Sequence, residues 1–132
     1  MNPGNKKRIK VGGNSITILI SAAEIRDNTD AEIPEVELMY GASVIYKLDP
    51  DAERKYRYKK AKDEAFDMSI NGKGNQNSKL TIDRKSDSEV MATMKDDPTD
   101  WTGKVTLGFE AIPGTGTAEP AAFDPIIING KK

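Results

Sequence analysis

Apolar residues recur at every second position in several short segments of this chain. Isoleucine occupies alternate positions of residues 16–20, and the same spacing returns in residues 66–70, 80–82 and 105–109. In a β-strand this spacing puts the apolar side chains on one face and the remaining side chains on the other. Strands with one face exposed to solvent are typical of antiparallel sheets. The sequence therefore predicts a mainly β protein, built as an antiparallel β-sandwich or partly closed barrel with one short α-helix.

Residues that favour turns separate these segments. We predict hairpin loops at Gly12-Gly13-Asn14 and at residues 71–75, because Gly and Asn adopt the positive φ angles that tight connections need. The single helix is predicted over residues 86–94, whose first four residues fit the S-x-x-E capping box. Pro98 follows closely and would end this helix.

The chain has 132 residues, which is the usual length of one domain. We expect a single β-rich domain over residues 1–132, with a basic N-terminal arm (1–8), an acidic loop (22–35) and an extended C-terminal arm (113–132). The apolar end of the C-terminal arm either closes the sheet of its own subunit or adds a strand to a neighbour's sheet. Its residues are Phe123, Ile126, Ile127 and Ile128.

Cysteine and histidine are both absent from the sequence. Without them there is no disulfide, thiolate nucleophile, thiolate or imidazole zinc ligand, or histidine general base. Asp96, Asp97 and Asp100 lack the spacing of an EF-hand calcium loop. We therefore expect a protein that is not an enzyme and uses no cofactor or metal. The apolar run at residues 16–20 is too short for a signal peptide or a membrane span, so we expect neither.

The charged residues are segregated along the chain, although 20 basic and 21 acidic residues almost cancel. Residues 24–37 hold six acids and one arginine, whereas residues 53–62 hold six bases and one glutamate. Opposite blocks of equal size attract each other between copies of a protein. We therefore predict that the two blocks form contacts between adjacent subunits. The predicted contact residues are Glu24, Asp27, Asp30, Glu32, Glu35 and Glu37 on one side and Arg54, Lys55, Arg57, Lys59 and Lys60 on the other.

The basic block also supports an alternative function, because two tyrosines are interleaved with its lysines and arginines. Cations can contact phosphates while aromatic rings stack under bases, so Tyr56, Tyr58, Lys59 and Lys60 could bind single-stranded nucleic acid. Trp101 would add a further stacking surface. The alternative structural interpretation is a charged edge strand with tyrosines at the rim of the core. The net charge of −1 disfavours a dedicated nucleic-acid-binding protein.

The second half of the chain resembles the tail-tube proteins of tailed phages. The resemblance lies in the order of four segments: residues 68–74, residues 78–82, the predicted helix at 86–94 and residues 102–107. They are similar in order to the strand–strand–helix–strand core of that family. Secretion-system tube proteins and capsid decoration proteins share the architecture and are not separated from tail tubes by this pattern.

The resemblance implies a structural subunit of the virion, made in the host cytoplasm. It would assemble with copies of itself into stacked rings, which are usually hexameric, and contact other virion proteins. DNA would pass through the central channel without specific binding. The family's channel is lined with acids, and the resemblance offers Asp67, Asp83, Glu24 and Glu37 for that role.

Overall fold

The computed structural model describes residues 7–27, 33–120 and 124–131. Two short helices, α1 (Ala22–Asp27) and α2 (Lys62–Ala65), accompany a mainly β structure. Short 3₁₀ turns occur at Ala52–Arg54 and Asn77–Lys79. The described strands are β1 (Arg8–Val11), β2 (Ser15–Ile20), β3 (Glu35–Met39), β4 (Ser43–Leu48), β5 (Tyr56–Tyr58), β6 (Phe66–Ser69), β7 (Leu80–Ser86), β8 (Glu89–Met94), β9 (Thr102–Leu107), β10 (Phe109–Ala111) and β11 (Ile126–Lys131).

Two sheets make up the body of the molecule, and a two-stranded ribbon accompanies them. The larger sheet has the order β1-β3-β11-β9-β6, the smaller has the order β2-β4-β8-β7, and β10 pairs with β5. The pairs β1–β3, β3–β11 and β2–β4 are parallel, and the other five pairs are antiparallel. The described strands form no closed barrel. The predicted mainly β sandwich is confirmed, although its sheets are mixed.

The core lies between the two sheets and follows the period of two in the sequence. Val44, Tyr46 and Leu48 of β4 are buried at alternate positions, as are Val105 and Leu107 of β9. Successive side chains of a strand point to opposite faces, so each strand contributes every second residue to the core. This alternation explains why the sequence predicted the strands well.

The helix predicted at residues 86–94 is wrong. This segment forms the end of β7, a turn and β8, which together make an antiparallel hairpin. Val90, Ala92 and Met94 are all buried, a spacing of two that fits a strand and not a helix. An S-x-x-E capping box does occur, but at α1: the Ser21 amide donates to Glu24 Oε1 at 2.8 Å, and the Glu24 amide donates to Ser21 Oγ at 3.2 Å.

Both predicted hairpin loops are also wrong, because each joins strands of different sheets. Residues 12–14 connect β1 of the larger sheet to β2 of the smaller one, and residues 70–79 connect β6 to β7. The expected positive φ angles are present, at 53° for Asn71 and 81° for Gly72. These two residues form a tight turn in which Ile70 and Lys73 exchange backbone hydrogen bonds of 2.9 and 3.0 Å. The turn chemistry was therefore predicted correctly and the strand pairing was not.

One buried hydroxyl provides a direct test of the core. Tyr46 Oη has no hydrogen-bond partner within the part of the chain that the structure describes. Burying an unpaired hydroxyl costs free energy, so Tyr46→Phe is expected to raise the free energy of unfolding by about 1 kcal/mol. Urea denaturation of the two proteins measures this difference. A loss of stability in Tyr46→Phe would contradict the packing described here.

Candidate functional site

The edges of the two sheets are the candidate contact surfaces, because an edge strand exposes unpaired backbone groups that another chain can bind. The β1 edge carries two exposed cations. Arg8 lies 3.3 Å from Glu35, and Lys10 lies 3.9 Å from Glu37, both acids being on the neighbouring strand β3. Charged side chains on an edge oppose pairing with a second strand, so β1 is a protected edge.

The β6 edge is covered by the side chain of Asn77. The Asn77 Oδ1 accepts a hydrogen bond of 2.8 Å from the Met68 amide, and the Asn77 Nδ2 donates one of 2.6 Å to the Phe66 carbonyl. The Gln76 amide donates to the Met68 carbonyl at 2.8 Å. These groups take the places that another strand would occupy, so β6 offers no open edge.

The β7 edge is protected by charge and by an irregularity in its pairing. Asp83, Arg84 and Lys85 follow one another near its end, where the register with β8 shifts. The Arg84 guanidinium donates to the backbone carbonyls of Lys59 and Tyr58 at 2.9 and 3.0 Å. Charges and bulges are features with which natural sheets prevent edge-to-edge pairing.

Among the described residues, nothing protects the β2 edge in any of these ways. Its sequence, Ser-Ile-Thr-Ile-Leu-Ile, contains no charge, proline or glycine. Leu19 is 56% exposed and is the one large hydrophobic side chain that stands exposed among the described residues. The outer face continues through Ile45 of β4, which lies beside Thr17, and then Met91 of β8, and both are half-buried, whereas the exposed Lys47 lies beside Leu19. We define the β2 edge as residues 15–20 together with Ile45 and Met91.

The backbone of β2 shows which of its groups are free. The Asn14 carbonyl accepts from the Ser43 amide and the Ile20 carbonyl accepts from the Asp49 amide, both at 2.9 Å. Backbone groups of successive residues point to opposite sides of a strand, so the even-numbered residues bond to β4. Ser15, Thr17 and Leu19 therefore direct three N–H and three C=O groups toward the open side, where no residue within 7–27, 33–120 or 124–131 pairs with them. Sequence analysis missed this site, although the uncharged run was visible.

The described acidic residues that were predicted to contact another subunit have partners within the chain. Glu35 and Glu37 pair with β1 as described above, and Asp27 lies 3.0 Å from Arg26. Glu24 caps the start of α1. Asp30 and Glu32 lie outside the described residues. The acidic loop predicted at 22–35 begins as a helix and ends in β3, so its described part is not an extended surface loop.

Three of the predicted basic contact residues are also paired within the chain. Arg57 Nε lies 2.6 Å from Glu110 Oε2 on the neighbouring strand β10. Arg54 and Lys55 lie 3.8 and 3.6 Å from Asp51. Lys59 and Lys60 are exposed. The predicted contact between charge blocks of adjacent copies stays a prediction, and the structure provides intramolecular partners for most of its described residues.

The C-terminal strand lies within its own sheet. β11 is inserted between β3 and β9, and Ile127 is fully buried. Ile126 and Ile128 are half-buried, and Phe123 lies outside the described residues. Of the two alternatives predicted for this segment, the structure shows the one in which it closes the sheet of its own subunit. Ile127 therefore has no surface to offer to a neighbour.

The tyrosines of the proposed nucleic-acid strand are core residues. Tyr56 is 2% exposed and its hydroxyl donates to the Ala118 carbonyl at 3.2 Å. Tyr58 is fully buried and its hydroxyl donates to the Tyr46 carbonyl at 2.9 Å. Trp101 is 8% exposed and its indole N–H donates to Asp97. Rings in these positions present no face on which a base can stack.

Asp97 organises the loop that precedes β9 and shows no sign of a metal site. Among the residues described, no three acidic side chains converge in a way that could hold a metal ion. Asp97 accepts hydrogen bonds from the Thr99 hydroxyl and amide, at 2.7 and 3.0 Å, and lies 3.3 Å from Lys79 Nζ. These donors, led by the Thr99 hydroxyl, hold the pKa of Asp97 well below its usual range. Its role is structural.

The lowered pKa of Asp97 makes the stability of the folded protein depend on pH. A carboxyl with a lower pKa in the folded state contributes stability above its unfolded pKa of about 4, and this contribution is lost as the pH falls below that value. We expect Asp97→Asn to be less stable than the unaltered protein at pH 6 and the difference to shrink by pH 3. Thermal unfolding of both proteins across this range measures it. A difference independent of pH would contradict the ionic role of Asp97.

Comparison with known proteins assigns no family to this chain. No protein-family model matches the sequence, and no curated protein does. No helix in residues 7–27, 33–120 or 124–131 is long and apolar enough to cross a membrane. Among solved structures, the chain is similar to a cysteine protease inhibitor, EhICP2, from Entamoeba histolytica, with 10% sequence identity and a TM-score of 0.40. The match covers 90% of this chain and 97% of the inhibitor's chain.

Proposed function

We propose that this protein is a non-enzymatic structural subunit that assembles with copies of itself. The observation that carries the proposal is the β2 edge. The other three edges of the two sheets are protected by charges, a side-chain cover or a bulge, whereas β2 presents six uncharged residues, one of which is an exposed leucine. Proteins protect edges that must not pair, so one unprotected edge supports a role in association.

The kind of assembly that we propose is a virion structure similar to a phage tail tube. Stacked rings would form a channel, and other virion proteins would contact the ends of the tube. DNA would pass through without specific binding. Among the four acids that the resemblance offers for a channel, Asp83 is exposed on β7, while Asp67, Glu24 and Glu37 are half-buried. We therefore propose Asp83, which lies 3.2 Å from Lys85, as the channel-facing acid.

The nucleic-acid alternative has no comparable support. Its two tyrosine rings are packed in the core, and Arg57 is held by Glu110. A stacking surface for single strands needs exposed aromatic faces beside free cations. We therefore do not propose nucleic-acid binding as the function of this strand.

Imaging tests the proposed function. The purified full chain, examined by negative-stain electron microscopy over a range of protein concentrations, is expected to form rings or short tubes as the concentration rises. The same samples at high salt serve as a comparison, because an association driven by opposite charges weakens with salt and one driven by an uncharged edge does not. Particles that remain single 14.5 kDa subunits at every concentration would contradict the proposal.

A further inference from the structure

We propose that the β2 strands of two copies pair in antiparallel fashion about a two-fold axis that passes through Thr17. This seam would join the two four-stranded sheets into one continuous sheet of eight strands. The inference rests on the proposed self-assembly and specifies one of its contacts; because a two-fold contact closes on itself, rings require a second, different contact between such pairs. Two-fold interfaces use the same surface on both subunits, so that surface must be complementary to itself.

The free backbone groups of β2 fix the register of the seam. In an antiparallel pair, two opposite residues exchange both of their hydrogen bonds. With Thr17 opposite its own copy, Ser15 faces Leu19 of the second copy, and all six free groups of each strand find partners. A register centred on Ile18 would instead need the Ser21 amide, which already donates to Glu24 Oε1 at 2.8 Å. The register at Thr17 satisfies the open side completely without the Ser21 amide.

The side chains of β2 are compatible with pairing to themselves. Ser15 is small and leaves space above the strand for the exposed Leu19 of the second copy. On the face that points to the core, Ile16 of one copy lies opposite Ile18 of the second copy. This pair continues the apolar layer of each core. No two like charges lie opposite each other in this register. Like charges on directly opposite residues would destabilise the sheet.

The β2 edge pairs better with the β2 edge of a second copy than with the β1, β6 or β7 edge. Applied to β1, the same two-fold operation centred on Ile9 would place Arg8 opposite Lys10, two cations in direct opposition. The β6 and β7 edges are occupied by Asn77 and by the shifted end of β7. Pairing of β2 with one of these edges would leave charges or covered backbone groups at the seam. The uncharged β2 strand is thus matched by its own copy.

Cysteine cross-linking tests the seam, because the chain contains no cysteine of its own. Opposite residues of a hydrogen-bonded antiparallel pair have Cα atoms about 5.5 Å apart, within the usual range for a disulfide. Thr17→Cys is expected to form a covalent dimer under mild oxidation. Thr81→Cys is the matched control, since it is an exposed threonine on β7 at the other edge of the same sheet. A mixture of Ser15→Cys and Leu19→Cys is expected to link as mixed dimers.

Each result decides something about the seam and about the proposed function. If Thr17→Cys links no faster than Thr81→Cys, the seam is overturned, and rings seen by microscopy would then keep the proposed function with another contact. If Thr17→Cys links at least tenfold faster but microscopy shows only pairs, the seam stands and the stacked-ring function fails. If neither linkage nor rings occur, both are overturned.

Discussion

Tyr58→Ala is expected to lower the free energy of unfolding by about 4 kcal/mol, the usual cost of removing a fully buried aromatic side chain. Tyr58 is completely buried, and its ring centre lies 4.6 Å from that of Phe109. Its hydroxyl donates to the Tyr46 carbonyl across the core. The change would therefore leave a cavity, lose a ring contact and remove a buried hydrogen bond.

Tyr58→Phe is the matched control for this prediction. It keeps the ring and removes the hydroxyl, so it is expected to cost only about 1 kcal/mol. Equilibrium denaturation in urea measures both variants on one scale. If Tyr58→Ala remained as stable as the unaltered protein and instead lost affinity for single-stranded nucleic acid, the ring would have to be exposed. Our assignment of Tyr58 to the core would then be wrong.

Gly108→Ala is expected to destabilise the protein by about 3 kcal/mol, because the added methyl group has no space. A Cβ at this position would overlap the carbonyl oxygen of Glu64 and lie 2.9 Å from its carbonyl carbon. These are backbone atoms of α2, which cannot rotate away as a side chain can. The Gly108 amide donates to the Ala65 carbonyl, and its own carbonyl accepts from the Lys59 amide, both at 2.9 Å. Relief of the overlap would break these bonds.

Gly12→Ala provides the comparison for Gly108. A Cβ at Gly12 would meet Met39 Cγ at 3.6 Å, an ordinary van der Waals contact. Because Gly12 is exposed, the free energy of unfolding of Gly12→Ala is expected to lie within about 0.5 kcal/mol of that of the unaltered protein. Thermal or urea unfolding distinguishes the two glycines. Equal stability of the two variants would mean that α2 does not pack against the β9–β10 connection as described.

The strands were predictable because burial on one face imposes a period of two on the sequence. The pairing of the strands was not predictable, because the tight connections at residues 12–14 and 70–79 cross between sheets instead of closing hairpins. The error at residues 86–94 has a local cause. Two serines and a glutamate at a tight turn have the spacing of a helix cap. The burial of Val90, Ala92 and Met94 at alternate positions instead indicates a strand.

The candidate site was harder to predict than the fold, since it depends on which strands lie at the edges. The uncharged composition of β2 could be read from the sequence, but its edge position follows from contacts with residues 43–48. The intramolecular partners of the acidic residues could not be read from the sequence for a related reason. Arg8 and Glu35 are 27 residues apart in the chain, as are Lys10 and Glu37, and only the parallel pairing of β1 with β3 brings each pair together.

The molar mass in solution tests the central claim, association through the β2 edge, most directly. Light scattering across protein concentration is expected to show the unaltered chain rising from 14.5 kDa to at least twice that mass. Thr17→Lys places two like charges on the two-fold axis and is expected to remain at 14.5 kDa, while Thr81→Lys behaves as the unaltered chain. A constant 14.5 kDa for the unaltered chain, or undiminished association of Thr17→Lys, would contradict the claim.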